Sequence, residues 1–482
     1  MLFNSIDFAI FLPIVFILYW FVTDKKLTQQ NLLIVIASYV FYGWWDWRFL
    51  SLIILSTLVD YSVGLKLRTE KKQNKRKFLL SASILVNLGA LGFFKYYNFF
   101  FDNFITAFSL FGAKINGGSL NIILPVGISF YTFQTLSYTI DIYRRKLEPT
   151  KDFIAFSAFV SFFPQLVAGP IERATHLLLQ FYNKRIFDYS KAVDGMRQIL
   201  WGLFKKIVIA DNCAEYANLI FNNSANYSGS TLVLGALFFT FQIYGDFSGY
   251  SDIAIGTSRL FGFDLMQNFN FPYFSRDIAE FWRRWHISLS TWFRDYLYIP
   301  LGGSQGNTWM KVRNTFIIFI VSGFWHGANW TFIVWGGLNA IYFLPLLLLG
   351  RNRQYLEIVA QNKYLPSMKE FFGIAVTFSL TVLAWIFFRA ENVGHAFSYL
   401  TGIFSDSFFT LPHFQGIRRA LLTALFVIFF VIIEWLGREQ QYATAQLGIK
   451  WARPIRWAGY YSLIIAILLF SGKQQEFIYF QF

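Results

Sequence analysis

The stretch NTFIIFIVSGFWHGANWTFIVWGG, residues 314–337, decides the fold class. It is apolar enough to cross a bilayer as a helix, which takes about 20 such residues. Yet His326 lies near its centre, and Thr315, Ser322, His326, Asn329 and Gly337 fall on one helical face. Gly323 and Gly327 thin the helix beside the imidazole. A charged side chain at the bilayer centre costs roughly 2.5–3.5 kcal/mol on insertion scales. A polar face carrying a histidine is therefore expected to line a cavity, with Ser322, Trp325 and Asn329 beside it. The alternative is a neutral imidazole hydrogen-bonded within a helix bundle.

Composition extends this reading to the whole chain. Of 482 residues, 55% are hydrophobic, 21% aromatic and only 14% charged; soluble domains carry about 25% charged residues. Mean hydropathy is +0.43. So little polar surface cannot cover a soluble globule, and the chain reads as an all-α polytopic membrane protein. Apolar runs at about 6–23, 28–45, 48–65, 78–97, 121–143, 152–169, 195–214, 231–249, 313–349 (one long or two short), 371–390, 418–437 and 456–472 predict about 11–13 transmembrane helices. The first run is not a cleaved signal peptide: MLFNSIDF lacks a basic start, and YWFVTDKK lacks a small-residue cleavage site. The single cysteine, Cys213, excludes an internal disulfide and any CxxC site. No polar stretch is long enough for a soluble domain, so one membrane domain is expected over 1–482. Its motif-bearing core is about 120–345, with peripheral helices in 1–119 and 346–482.

A net charge of +15 would suggest nucleic acid in a soluble protein. Here the basic residues sit in short loops between apolar runs, which fits membrane orientation and no nucleic-acid partner. KLRTEKKQNKRK, residues 66–77, carries seven basic residues against Glu70 and should stay in the cytoplasm. Lys25 and Lys26, two spans back, and Arg144, Arg145 and Lys146, after the fifth span, agree. The N-terminus is then outside.

The middle third is more polar. FFPQLVAGPIER, 162–173, puts Pro164 and Pro170 in an apolar run, and FQIYGDFSGYSDIAIG, 241–256, sets Asp246 and Asp252 among Gly245, Gly249 and Gly256. Broken backbone at membrane depth is tolerated where protein or a water-filled cavity surrounds it, so this region is expected to be re-entrant and to line a central cavity. Gly245 and Gly249 themselves read first as a GxxxG pair for tight helix packing, and Asp246 and Asp252 first as hydrogen-bonded structural carboxylates or helix caps. In IAEFWRRWHISLSTWFRDYLYIP, 278–300, one helical stripe holds Trp282, Trp285, Leu289, Trp292 and Tyr296, and another holds Arg283 and Arg294. That pattern predicts an interfacial amphipathic helix with His286 on the border of the two faces. His176, His395 and His413 read as surface residues, and no histidine or carboxylate cluster has metal-ligand spacing.

No Walker loop, GxSxG or HExxH is present. One or two histidines in a membrane cavity suit two classes. One is an acyltransferase, in which an imidazole deprotonates an attacking hydroxyl. The other is a transporter using histidine as a proton relay.

FWRRWHISLSTWFRDYLYIPLGGSQ (281–305), SGFWHGANWTFIVWGGLNA (322–340), LPVGISFYTFQTLSYTIDIYR (124–144), FFPQLVAGPIER (162–173) and YGDFSGYSDIAIGTSRLFGF (244–263) together resemble the membrane-bound O-acyltransferase (MBOAT) family. The likeness is to its bacterial alginate O-acetyltransferase-like branch, and the N-terminal MLFNSIDFAIFLPIVFILYW fits that branch as well. The resemblance implies tilted helices around a cavity reachable from both membrane faces. It implies His326 as the essential residue and His286 as its assistant, with Asn329, Ser322, Asp246, Asp252, Arg283 and Trp325 as candidate cavity-lining residues. No bound cofactor is implied; acetyl-CoA or another acyl thioester would be a cytoplasmic donor substrate. An extracytoplasmic partner with an SGNH-type hydrolase fold would complete O-acetylation of a polysaccharide such as alginate, from a multi-pass protein of the cell inner membrane. D-alanyl transfer to a teichoic acid-type polymer, lipid acylation and transport remain open.

The orientation is directly testable. A cysteine placed by Asn74→Cys should resist membrane-impermeant maleimide in intact cells and react after permeabilisation. Ready labelling of intact cells would invert the topology.

Overall fold

Helix starts follow from polar side chains that take up otherwise unbonded amides. In the computed structural model, which describes residues 1–23, 26–110, 120–472 and 475–478, Ser5 begins α1 (Ile6–Ile17) by accepting from the Phe8 amide. There follow α2 (Leu27–Asp46), α3 (Leu50–Thr69), α4 (Gln73–Leu91), α5 (Tyr97–Leu110) and α6 (Ile128–Tyr143). Asp152 caps α7 (Phe153–Ser161), and a bend at Phe162 leads into the single turn α8 (Phe163–Leu166). The chain continues with α9 (Tyr189–Leu203), α10 (Asp211–Asn222), α11 (Gly229–Leu260), α12 (Ile278–Arg284), α13 (Ile287–Phe293) and α14 (Thr308–His326). Then come α15 (Trp330–Leu348), α16 (Met368–Arg389), α17 (Val393–Ile403), α18 (Ile417–Gly437) and α19 (Arg453–Leu469). No strand occurs among the described residues. Lys25, used in the orientation argument, lies outside them.

The all-α polytopic class holds. Six helical stretches among the described residues are long and apolar enough to cross a membrane: Leu27–Thr69, Gln73–Ser109, Gly229–Leu260, Trp330–Leu348, Met368–Arg389 and Ile417–Gly437. The first contains α2 and α3, joined by a short 3-10 turn, and the second contains α4 and α5, joined through a π turn. Other expected spans are shorter or interrupted. The 152–169 run breaks at Phe162 as its prolines require, and 195–214 passes through a π turn at Phe204–Ala210. The chain sorts into two compact units, Met1–Ala192 with Ser258–Leu265, and Val193–Thr257 with Met266–Phe482.

In the first unit the buried polar centre is Asp60, fully inaccessible on α3. It accepts from Asn87 Nδ2 at 2.8 Å, Thr139 Oγ1 at 2.9 Å and the Ser83 hydroxyl, tying α3 to α4 and α6. The basic stretch 66–77 is less of a loop than expected, because α3 runs to Thr69 and α4 resumes at Gln73. Arg76 is buried there and donates to the Tyr143 carbonyl at 2.9 Å and to the Leu67 carbonyl. One of the seven basic residues thus joins helix ends rather than only setting orientation.

In the second unit α11 corrects an expectation. YGDFSGYSDIAIG is continuous helix, not broken backbone. Its glycines serve close packing. A Cβ on Gly249 would stand 2.8 Å from the Gly202 carbonyl oxygen, and one on Gly202 would stand 2.7 Å from the Gly249 oxygen. One on Gly256 would stand 2.5 Å from the Gly195 oxygen. Small residues that let backbones touch are how helices associate where lipid supplies no hydrophobic drive.

Gly249→Ala should therefore destabilise the protein by about 1–3 kcal/mol through overpacking. Gly337→Ala meets no neighbour within 4 Å and should be neutral or slightly stabilising, since alanine favours helix by about 1 kcal/mol. Thermal aggregation midpoints in detergent distinguish the two. Equal midpoints would refute the packing role of Gly249.

Candidate active site

The stretch 314–337 does not form one helix. Gly327 is extended, with φ −166° and ψ 153°, so α14 ends at His326. A Cβ at Gly327 would collide with the Phe332 ring. Asn329 starts α15 by accepting from the Thr331 amide at 3.0 Å, and its Nδ2 donates to the Glu391 carbonyl at 2.8 Å. Asn329 is a helix cap, and Gly337 belongs to the next helix. The single polar face expected across the stretch therefore stops at His326.

That position buries the imidazole in aromatic rings. His326 is 4% exposed. Its ring centroid lies 4.8 Å from Trp325, 5.2 Å from Trp335 and 5.2 Å from Phe388. Trp335 stacks on Trp385 at 5.5 Å, and Trp385 meets Trp285 at 5.0 Å. Ser322 is buried one turn back on α14.

The stripe expected along 278–300 is also interrupted. Asp277 caps α12, which stops at Arg284. Trp285 is extended, and His286 takes the left-handed conformation at φ +42° before α13 begins. A non-glycine residue at positive φ is uncommon and concentrates where surrounding structure holds it. His286 is 1% exposed, so it lies in the interior rather than on the expected interfacial border. Phe247 meets its ring edge-on at 4.6 Å, and Trp325 stands 6.1 Å away. Trp325 thus touches both imidazoles and brings the two sequence-predicted histidines into one site.

His286 is held by Asn268, which no sequence signal marked. The Nδ1 of His286 is 3.0 Å from Asn268 Oδ1. The Asn268 carbonyl accepts from the Ile287 amide at 2.9 Å, and Asn270 donates to the Arg284 carbonyl at 2.9 Å. The run 268–270 therefore supplies the backbone partners lost where the helix breaks.

The candidate carboxylates belong elsewhere. Asp252 pairs with Lys205 at 2.7 Å, and Glu434 stands 3.6 Å from the same ammonium. Gln198 donates to Asp252 at 2.8 Å, and Tyr244 donates to Glu434 at 2.6 Å. Asp246 and Asp211 each lie 2.8 Å from Lys206, and Asp246 also accepts from the Ile478 amide at 2.7 Å. These are buried ion pairs, as the structural reading of Asp246 and Asp252 required. The sequence did carry a signal for their partners: Lys205 and Lys206 in WGLFKKIVIAD, and Glu434 in FFVIIEWLG, are ionisable residues inside apolar runs. Arg283 does not line a cavity; it donates to the Asn352 and Tyr355 carbonyls, both at 2.7 Å, and fixes that loop. Arg284 pairs with buried Glu280 at 2.9 Å.

Two internal spaces are present nearby. A polar one of about 10 Å³, the size of one water, is lined by Lys205, Ser248, Ser251, Asp252, Asn268 and Glu434. An apolar one of 230 Å³ lies among Phe241, Tyr273, Phe378 and Phe430. Neither is lined by His286 or His326, because indole and phenyl rings fill the space around them. Of the other histidines, His176 pairs with Glu172 at 2.7 Å, and His395 bonds Ser224 at 3.1 Å. The His413 amide bonds Thr231 at 3.1 Å.

Comparison with known proteins adds an independent line. Residues 144–387 match the family described as MBOAT, membrane-bound O-acyltransferase. A probable alginate O-acetylase of Azotobacter vinelandii is 40% identical over 463 residues, covering 94% of this chain and 88% of its own length. A peptidoglycan O-acetyltransferase of Helicobacter pylori is 33% identical over 531 residues, covering 100% and 98%. A teichoic acid D-alanyltransferase of Bacillus subtilis is 27% identical over 297 residues, covering 57% and 71%.

The ion pairs yield a test of the division between framework and site. Lys205→Met leaves Asp252 and Glu434 buried without their cation and should cost about 3–5 kcal/mol. Adding Asp252→Asn and Glu434→Gln should restore most of the melting temperature in detergent. A single Lys205→Met variant that melts like the parent would refute the structural role.

Proposed function

The chain belongs to the membrane-bound O-acyltransferase family and is a multi-pass membrane O-acyltransferase; from that premise we propose that it passes an acetyl group across the inner membrane for O-acetylation of an extracytoplasmic polysaccharide. The donor is a cytoplasmic acyl thioester such as acetyl-CoA, and His326 is the general base. The observation that carries the acetyl reading is nearly full-length similarity to acetyl-transferring relatives, against a shorter and weaker match to the D-alanyl branch. Alginate is the favoured acceptor on the same ground. The cytoplasmic side is that of loop 66–77, with the N-terminus outside.

The chemistry requires a group that takes a proton as carbon–oxygen bond formation proceeds. The acceptor hydroxyl gives its proton to the imidazole of His326 while its oxygen bonds to the thioester carbonyl carbon. The carbon–sulfur bond then breaks, and the leaving thiolate takes the proton back from the imidazolium. General-base catalysis of this kind contributes about 10²–10⁴-fold. The aromatic enclosure by Trp325, Trp335 and Phe388 keeps out water that would hydrolyse the thioester.

Rings close around His326, so they must part even for a small acyl group, and a hydrated sugar chain is far larger than that. The immediate acceptor is therefore a residue of a secreted partner of SGNH type, which completes transfer to the polymer. In liposomes with acetyl-CoA inside and alginate outside, acetylation should appear only when that partner is added. His326→Ala should lower it at least about 100-fold at equal folded protein. Activity of the alanine variant at the parental level would refute the base assignment. Efficient polymer acetylation without a partner would refute the relay.

A further inference from the structure

The hydrogen-bond pattern around His286 fixes which of its nitrogens carries the proton, and this follows from one atom of Asn268. An asparagine amide can be turned either way, so its orientation must be read from neighbours whose donor or acceptor role is certain. The Ser288 backbone amide can only donate, and it lies 3.4 Å from Asn268 Oδ1. The Ser288 hydroxyl lies 2.8 Å from the same atom. With the amide reversed, two N–H groups would face each other. The opposite end of the side chain, Nδ2, donates to Ser251 Oγ at 3.1 Å on α11. Asn268 Oδ1 is therefore the carbonyl oxygen. The His286 Nδ1 that meets it at 3.0 Å must donate.

We infer that Asn268 is a positioning residue that holds neutral His286 as the Nδ1–H tautomer, leaving Nε2 with a lone pair. This rests on the reading of His286 as His326's partner in catalysis. It also narrows that role. A neutral His286 so held can accept a hydrogen bond from a hydroxyl or thiol but cannot donate one to a developing oxyanion. Its task is to orient the O–H of the incoming acceptor, whose proton goes to His326, not to stabilise the thioester oxygen. The left-handed backbone at His286 belongs to the same device. The Ile287 and Ser288 amides exposed by the helix break both turn to Asn268, one to its main chain and one to its side chain. For metal-bound histidines, loss of the residue that sets tautomer and orientation costs about 10–100-fold, and a loss of that order is expected here.

The test uses ¹⁵N-histidine-labelled full-length protein in lipid nanodiscs, with the His286 resonances identified by their loss in His286→Asn. Near neutral pH, the parent should show Nδ1 as the protonated nitrogen and Nε2 as the bare one. A protonated Nε2 would overturn the inference. Asn268→Leu should mix the tautomers and lower acetyl transfer about tenfold or more. Asn268→Asp, whose carboxylate still accepts from Nδ1 and from Ser288, should keep the tautomer and recover most of the rate. If Asn268→Leu does not fold, the parent spectrum and the aspartate variant still decide. An Asn268→Leu protein with the parental tautomer overturns the inference. One with mixed tautomers but parental turnover supports it, and overturns instead the catalytic role of His286.

Discussion

In a chain this apolar, every main-chain N–H and C=O must find its partner within the protein, because lipid offers none. Continuous helix satisfies that constraint automatically, and each departure from helix needs a substitute. The two histidines of the candidate site both sit at such departures. At Gly327 the substitute is Asn329, which takes the Thr331 amide and reaches the Glu391 carbonyl. At His286 it is Asn268, which takes the Ile287 and Ser288 amides. A helix end turns a side chain away from the regular i, i+4 rows, and that is how His286 and His326 come to flank Trp325.

The charged residues answer the same constraint differently. Lys205 and Lys206 are neighbours in sequence, yet each has its own pair of carboxylates. The carboxylates come from α10, α11 and α18, so the two lysines hold these helices around the π turn that carries them. Replacing such a pair by apolar residues can be neutral, whereas removing one member is not. The network therefore fixes which helices meet. The small polar space between Lys205 and Asn268 brings this framework next to the residue that holds His286.

Fold class was legible from hydropathy alone, and both histidines were legible as exceptions within apolar or patterned segments. Geometry beyond the helix period was not. Periodicity arithmetic assumes an unbroken helix, and it failed at Trp285–His286 and at Gly327, where one residue in a non-helical conformation resets the register. At YGDFSGYSDIAIG the expectation of broken backbone failed, while the packing reading of its glycines held: Gly249 and Gly256 face the close approach of Gly202 and Gly195 within continuous helix. Asn268 was invisible because its importance lies in what it touches across seventeen or more residues of chain, Ser251 on one side and His286 on the other. Lys205, Lys206 and Glu434 were visible as ionisable residues in apolar runs, but their pairing is set by tertiary contacts between helices.

Acyl transfer is proposed to take place where Trp325 meets the two imidazoles. The most direct measurement is a cryo-electron microscopy structure of the protein in nanodiscs with a non-hydrolysable thioether analogue of acetyl-CoA. Density for the acetyl end is expected beside Trp325, near enough to His326 for an acceptor hydroxyl to bridge them, with the surrounding rings moved apart to admit it. An acetyl end bound elsewhere, with the Trp325, Trp335 and Phe388 enclosure of His326 still closed, would contradict it.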